Sequence, residues 1–162
     1  MRIALYKGTS IVSRIIKFFT RSEYSHVAII LDNDKVIEAW NGTKDKLIFK
    51  RTKDLLTNLS TDHTPDTEVE IYELPIPIDV RVKAFDFYNA QVVKKYDLAG
   101  ALGQPLFIIK THDKNKWFCS ELLVEGLIQG GLHRKDLDSS KVSPGDIPRL
   151  FSLAYVKTLR TI

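Results

Sequence analysis

Two apolar, β-branched runs, residues 25–31 and 35–40, flank Asp32-Asn33-Asp34, and this pattern commits the first quarter of the chain to an antiparallel hairpin. One residue breaks the second run. Glu38 interrupts Val36-Ile37-Glu38-Ala39-Trp40, and a carboxylate on a buried strand needs a partner to offset its desolvation. The obvious partner is His26, at the start of the opposing strand. Strand alternation puts His26, Ala28 and Ile30 on one face, and Val36, Glu38 and Trp40 on one face. The two sets face the same side only if paired residue numbers sum to an even number. A three-residue loop with Leu31 opposite Lys35 satisfies this and sets Glu38 opposite Ala28. His26 and Glu38 are then diagonal neighbours, about 7–8 Å apart at the backbone. A two-residue loop, Asn33-Asp34, would put them on opposite faces. Asn and Asp tolerate the left-handed backbone of three-residue hairpins, so the loop is compatible with the first register.

Around this hairpin the chain reads as mixed α and β. Residues 3–7 form a strand stopped by Gly8. Thr9 or Ser10 then caps a helix to about Arg21, with Ile11, Val12, Ile15, Ile16 and Phe19 on one stripe. Residues 47–51 and 68–74 read as further strands. Asp79 caps a helix over residues 80–94, whose inward face draws on Val82, Phe85, Val92 and Val93 with Tyr88 or Asn89. Residues 96–103 form a loop or short helical segment. Residues 118–129 form a helix ended by Gly130-Gly131, Ser143-Pro144-Gly145-Asp146 starts another, and residues 154–159 close the chain as a strand. The expected fold class is α+β, an antiparallel sheet packed against helices in one domain, residues 1–162.

Composition narrows the function classes. The chain has 162 residues, 44% of them hydrophobic and 27% charged, as in ordinary globular domains. Its net charge of +4 is spread without a dense basic run, so no nucleic-acid partner is expected. A single cysteine excludes an internal disulfide framework and a multi-thiolate zinc site, and no cofactor or metal is expected. MRIALYKGTS lacks the features of a secretory signal, and no apolar stretch approaches the ~20 residues that span a bilayer. The expected location is cytoplasmic, with phage-associated delivery or release by lysis as other routes.

The lone cysteine lies in Trp117-Phe118-Cys119-Ser120-Glu121-Leu122, in the first turn of its helix. Unpaired N–H groups there favour a thiolate, the nucleophile of acyl-transfer chemistry. Core packing is the competing reading, since Cys119, Leu123, Gly126 and Leu127 share a helical face and unpaired cysteine is often buried. His26 and Glu38 shift that balance. Glu38 would fix the histidine tautomer while the other ring nitrogen takes the Cys119 proton. Tyr96, in Lys94-Lys95-Tyr96-Asp97-Leu98-Ala99-Gly100, offers a hydroxyl as a second oxyanion donor or is a packing residue. Ser120 and Glu121 read as first-turn residues, and His63, His112 and His133 as loop residues.

In these pieces the sequence resembles the circularly permuted branch of the NlpC-type papain-like thiol hydrolases. Gly-Thr-Ser (8–10), Tyr-Ser-His-Val-Ala-Ile (24–29), Val-Ile-Glu-Ala (36–39), Tyr-Asp-x-x-Gly (96–100) and Phe-Cys-Ser-Glu-Leu (118–122) occur in the order of that branch, which places His before Cys. The resemblance implies Cys119 as nucleophile, His26 as base, Glu38 as the residue orienting the histidine, and Tyr96 as an active-site neighbour. It implies a permuted papain-like fold, an antiparallel sheet or partial barrel with the Cys helix packed against it.

The implied activity is cleavage of an amide bond in a peptide or peptidoglycan-like substrate. An esterase or acyltransferase acting on acyl-lipid is a second reading. The first helix, with Arg14, Lys17 and Arg21 beside its apolar stripe, could rest on a membrane periphery; core packing explains the stripe equally well. A non-catalytic binding module is a third.

Overall fold

The computed structural model describes residues 1–31, 35–39, 56–91, 95–96 and 116–162, with backbone alone at 95–96 and 116–117. Six strands, β1 (Arg2–Lys7), β2 (His26–Ile30), β3 (Lys35–Ile37), β4 (Leu56–Asn58), β5 (Glu68–Glu73) and β8 (Ala154–Arg160), build an open sheet in the order β4-β3-β2-β1-β5-β8. Every neighbouring pair is antiparallel. A separate parallel pair joins β6 (Lys95–Tyr96) to β7 (Lys116–Trp117). The α-helices among the described residues are α1 (Ile11–Thr20), α2 (Ile78–Gln91), α3 (Cys119–Gln129) and the short α4 (Ile147–Leu150). The fold class is α+β, as the sequence predicts.

Strand alternation divides the core. Ile3, Leu5, Val27, Ile29 and Ile37 face the helical layer, where Tyr88 of α2 and Leu122, Leu123 and Leu127 of α3 meet them. Ala4, Tyr6, Ala28, Val36 and Val69 form a second cluster on the opposite face, closed by Leu59. The helical layer depends on one close approach. A Cβ at Gly126 would lie 1.9 Å from Tyr88 Cε1, so only glycine lets the α3 backbone meet the Tyr88 ring. The Tyr88 hydroxyl then donates to the Leu123 carbonyl at 2.8 Å.

Several sequence-based expectations need correction. The α1 boundaries agree, with Ser10 accepting from the Ser13 amide at 3.1 Å and Arg21 closing the helix in the left-handed region. Of the two orientations its stripe allows, the structure takes the mainly outward one. Ser13 and Ile16 are the buried residues, whereas Ile11, Ile15, Phe18 and Phe19 are exposed. The connection from β1 is only residues 8–10, and the Ser13 side of the helix packs on it. Gly8 packs against Ser13 and Ser25, and a Cβ there would lie 2.4 Å from Ser13 Oγ. In α2 the helix starts at Ile78, so Asp79 lies in the first turn rather than at the cap, and the inward residues are Val80, Ala84, Tyr88 and Gln91. Tyr88 is buried and Phe85 packs partly buried against the core, as expected, whereas Val82 and Asn89 are exposed. The short β4 was not anticipated, and the expected strand over 47–51, together with Val92 and Val93, lies outside the described residues.

Candidate active site

The β2–β3 register decides where Glu38 points. Ile29 pairs with Ile37 and Ile30 with Val36, and the Leu31 amide donates to the Lys35 carbonyl at 2.8 Å. This is the pairing a three-residue connection requires, and it puts His26 and Glu38 on one face. His26 Nε2 and Glu38 Oε2 lie 2.6 Å apart. Glu38 is wholly buried and His26 is 4% exposed.

Two further groups converge on the carboxylate. Thr57 of β4 pairs with Val36, diagonal to Glu38, and its hydroxyl donates to Glu38 Oε1. His63 Nε2 lies 3.1 Å from each carboxylate oxygen. Tyr6 holds both rings in place: it stacks on His63 with centroids 4.0 Å apart and meets His26 edge-on at 5.3 Å. Burial alone would push the Glu38 pKa up. The two histidines overcome it and hold the carboxyl well below the usual carboxylate range.

Cys119 arrives from the other side, as the first residue of α3. Phe118 is the extended cap residue, and Glu121 reaches back to accept from the Phe118 amide at 3.4 Å. The Ser120 hydroxyl donates to the Val142 carbonyl, tying the first turn to the segment before α4. Helix geometry leaves the first-turn N–H groups, that of Cys119 included, without intrahelical acceptors. The Cys119 side chain is 1% exposed and lies near enough to His26 to raise the pKa of its ring. Because Nε2 is committed to Glu38, Nδ1 is the ring nitrogen left for the sulfur. Burial opposes the imidazolium, but Cys119 and then Glu38 outweigh it and raise the His26 pKa to about 10.

The structure thus brings together Cys119, His26 and Glu38. Of Tyr96 it describes the backbone alone: β6 pairs with β7 so that Tyr96 is opposite Trp117, two residues before Cys119. Sequence reasoning missed His63 and Thr57. His63 is not a solvated loop residue; it is 4% exposed and packed on Tyr6. Its polar surroundings, Ser60-Thr61-Asp62-His63-Thr64, resemble any surface loop, and the one local hint is the apolar Leu59 just before them. His133 is exposed, as expected of a loop residue, and His112 lies outside the described residues.

Among the described residues, the ligand atoms of His26, Glu38 and His63 all lie within 4.8 Å of one another, the donor types a divalent metal would accept. Zinc bonds of about 2.0–2.1 Å would hold tetrahedral ligand atoms roughly 3.3 Å apart. The 2.6 Å between His26 and Glu38 is instead a hydrogen-bond separation, so the geometry is that of a proton-sharing network. No protein-family model matches this chain, and no curated protein is significantly similar to it.

Proposed function

We propose that this protein is a cysteine hydrolase that cleaves an amide bond in a peptide or peptidoglycan-like substrate, with the permuted papain-like arrangement its motif order resembles. The observation that carries the reading is a buried histidine, His26, held by the Glu38 carboxylate at 2.6 Å and influenced on its other side by the helix-start sulfur of Cys119. Core packing explains a buried cysteine, but not its pairing with a histidine oriented in this way.

In this reading the proton of the Cys119–His26 pair already rests on the imidazole, whose raised pKa favours the imidazolium, and the sulfur, as thiolate, attacks the substrate carbonyl carbon. The carbonyl π electrons move to oxygen, and the developing oxyanion is met by the Cys119 backbone N–H. His26 returns the proton to the amine nitrogen as the C–N bond breaks, leaving a thioester on Cys119. Water, deprotonated by His26, attacks the thioester; the acid departs and the thiol is regenerated. Glu38 stays ionised throughout, fixing the tautomer and stabilising the imidazolium. His63 and Thr57 fix Glu38 in turn.

Lipid-directed ester or acyl-transfer chemistry is the second reading, favoured by the exposed apolar face of α1. A panel of matched acyl-amide and acyl-ester substrates separates the two. Amide turnover that disappears in Cys119→Ala supports the first. Ester turnover alone supports the second. Turnover that persists in Cys119→Ala contradicts both.

A further inference from the structure

The amphipathicity of α1 is inverted. Its small polar residue Ser13 is buried, while Ile11 is 76% and Phe18 77% exposed, with Ile15 and Phe19 partly open beside them. At 100° per residue these four side chains span a continuous arc of roughly 100°. Arg14 and Arg21 border the arc, with Lys17 beyond them, and residues 11–21 contain no carboxylate. No ion pair among the described residues involves these cations; the nearby Glu23 is paired with Lys7.

From this placement we propose that α1 is an interfacial docking surface for an anionic lipid bilayer. An outward apolar stripe with cations along its border is what a headgroup and acyl-chain boundary accepts, the rings entering and the guanidinium groups remaining with lipid phosphates. A second copy of the chain fits less well, because a two-fold contact through α1 would set three cations of one copy against the same three of the other. The approach to α1 lies beside the site: the Gly8 amide donates to Ser25 Oγ at 3.1 Å, Ser13 of the first turn packs at Gly8, and Ser25 precedes His26. Docking therefore holds the Cys119–His26 pair near the lipid surface.

The test is flotation of the full chain with phosphatidylcholine vesicles and with vesicles that also contain phosphatidylglycerol. Binding is expected on the anionic vesicles, weakening with salt. Phe18→Glu and Ile11→Glu should each reduce it at least about tenfold. Arg14→Glu with Arg21→Glu should remove the preference for anionic lipid. Tyr155→Glu, an exposed control on β8, and Cys119→Ala should bind as the parent does, so a failed hydrolase assignment would not be mistaken for failed docking. Absence of vesicle binding, or equal binding by Phe18→Glu, overturns the proposal. A dimer seen by light scattering and dissolved by Phe18→Glu, without vesicle binding, would overturn it in favour of self-association.

Discussion

A carboxylate with no exposure persists inside a sheet only where neighbouring donors replace the water it has lost, and Glu38 has His26, His63 and Thr57 for that purpose. Removing it leaves two buried rings without their shared acceptor. Glu38→Ala should therefore cost roughly 3–5 kcal/mol, measured by denaturant unfolding, while Glu38→Gln, which retains an acceptor oxygen, should cost less. If Glu38 orients His26, the Gln variant should lower kcat with KM little changed; an unaltered kcat would reduce Glu38 to a structural role. The His26 pKa also makes a pH prediction. Its folded value is raised, so its contribution to stability is complete below the unfolded value of about 6.5. The contribution declines as pH rises and is gone above about 10. The unfolding free-energy difference between the parent and His26→Gln should narrow over that interval; a gap that widens with pH would contradict the assignment. At this scale the pair His26 and Glu38 was legible because a carboxylate breaking an apolar strand is anomalous. His63 was not, because a histidine among Ser, Thr and Asp looks solvated until long-range contacts bury it.

The elements show a similar division. The start of α3 was legible from Phe118-Cys119-Ser120-Glu121 and its end from Gly130-Gly131, where Gly131 takes a φ of 103°. The α1 boundaries were legible too, since Ser10 and Arg21 are local caps. Which face α1 buries was not, because it depends on the packing of Ser13 against Gly8 and Ser25, a contact that reaches across to β2. In the α2–α3 contact, Gly126→Ala must displace the Tyr88 ring, at about 1–3 kcal/mol, read as a lower thermal midpoint. Tyr88→Phe should be milder, about 1 kcal/mol for the lost hydrogen bond to Leu123. A neutral Gly126→Ala would mean that the two helices separate more readily than their packing implies.

For the whole molecule, the sheet order β4-β3-β2-β1-β5-β8 places the site strand β2 between β1 and β3, while α3 comes from late in the chain to bring Cys119 to its end. Among the described residues, no helix is long and apolar enough to cross a membrane. The hairpin, the terminal strand and the α+β class could be read from periodicity and turn residues. Strand order could not, because it depends on pairings across the chain, such as β5 with β8, that no local pattern encodes. The central claim is that Cys119 forms an acyl-enzyme with His26 as its base. Intact-protein mass after brief exposure to an activated acyl probe tests it most directly. One acyl mass on the parent, absent in Cys119→Ala and strongly slowed in His26→Ala, is the predicted result. An adduct that persists in Cys119→Ala, or one that forms as fast in His26→Ala as in the parent, would contradict it.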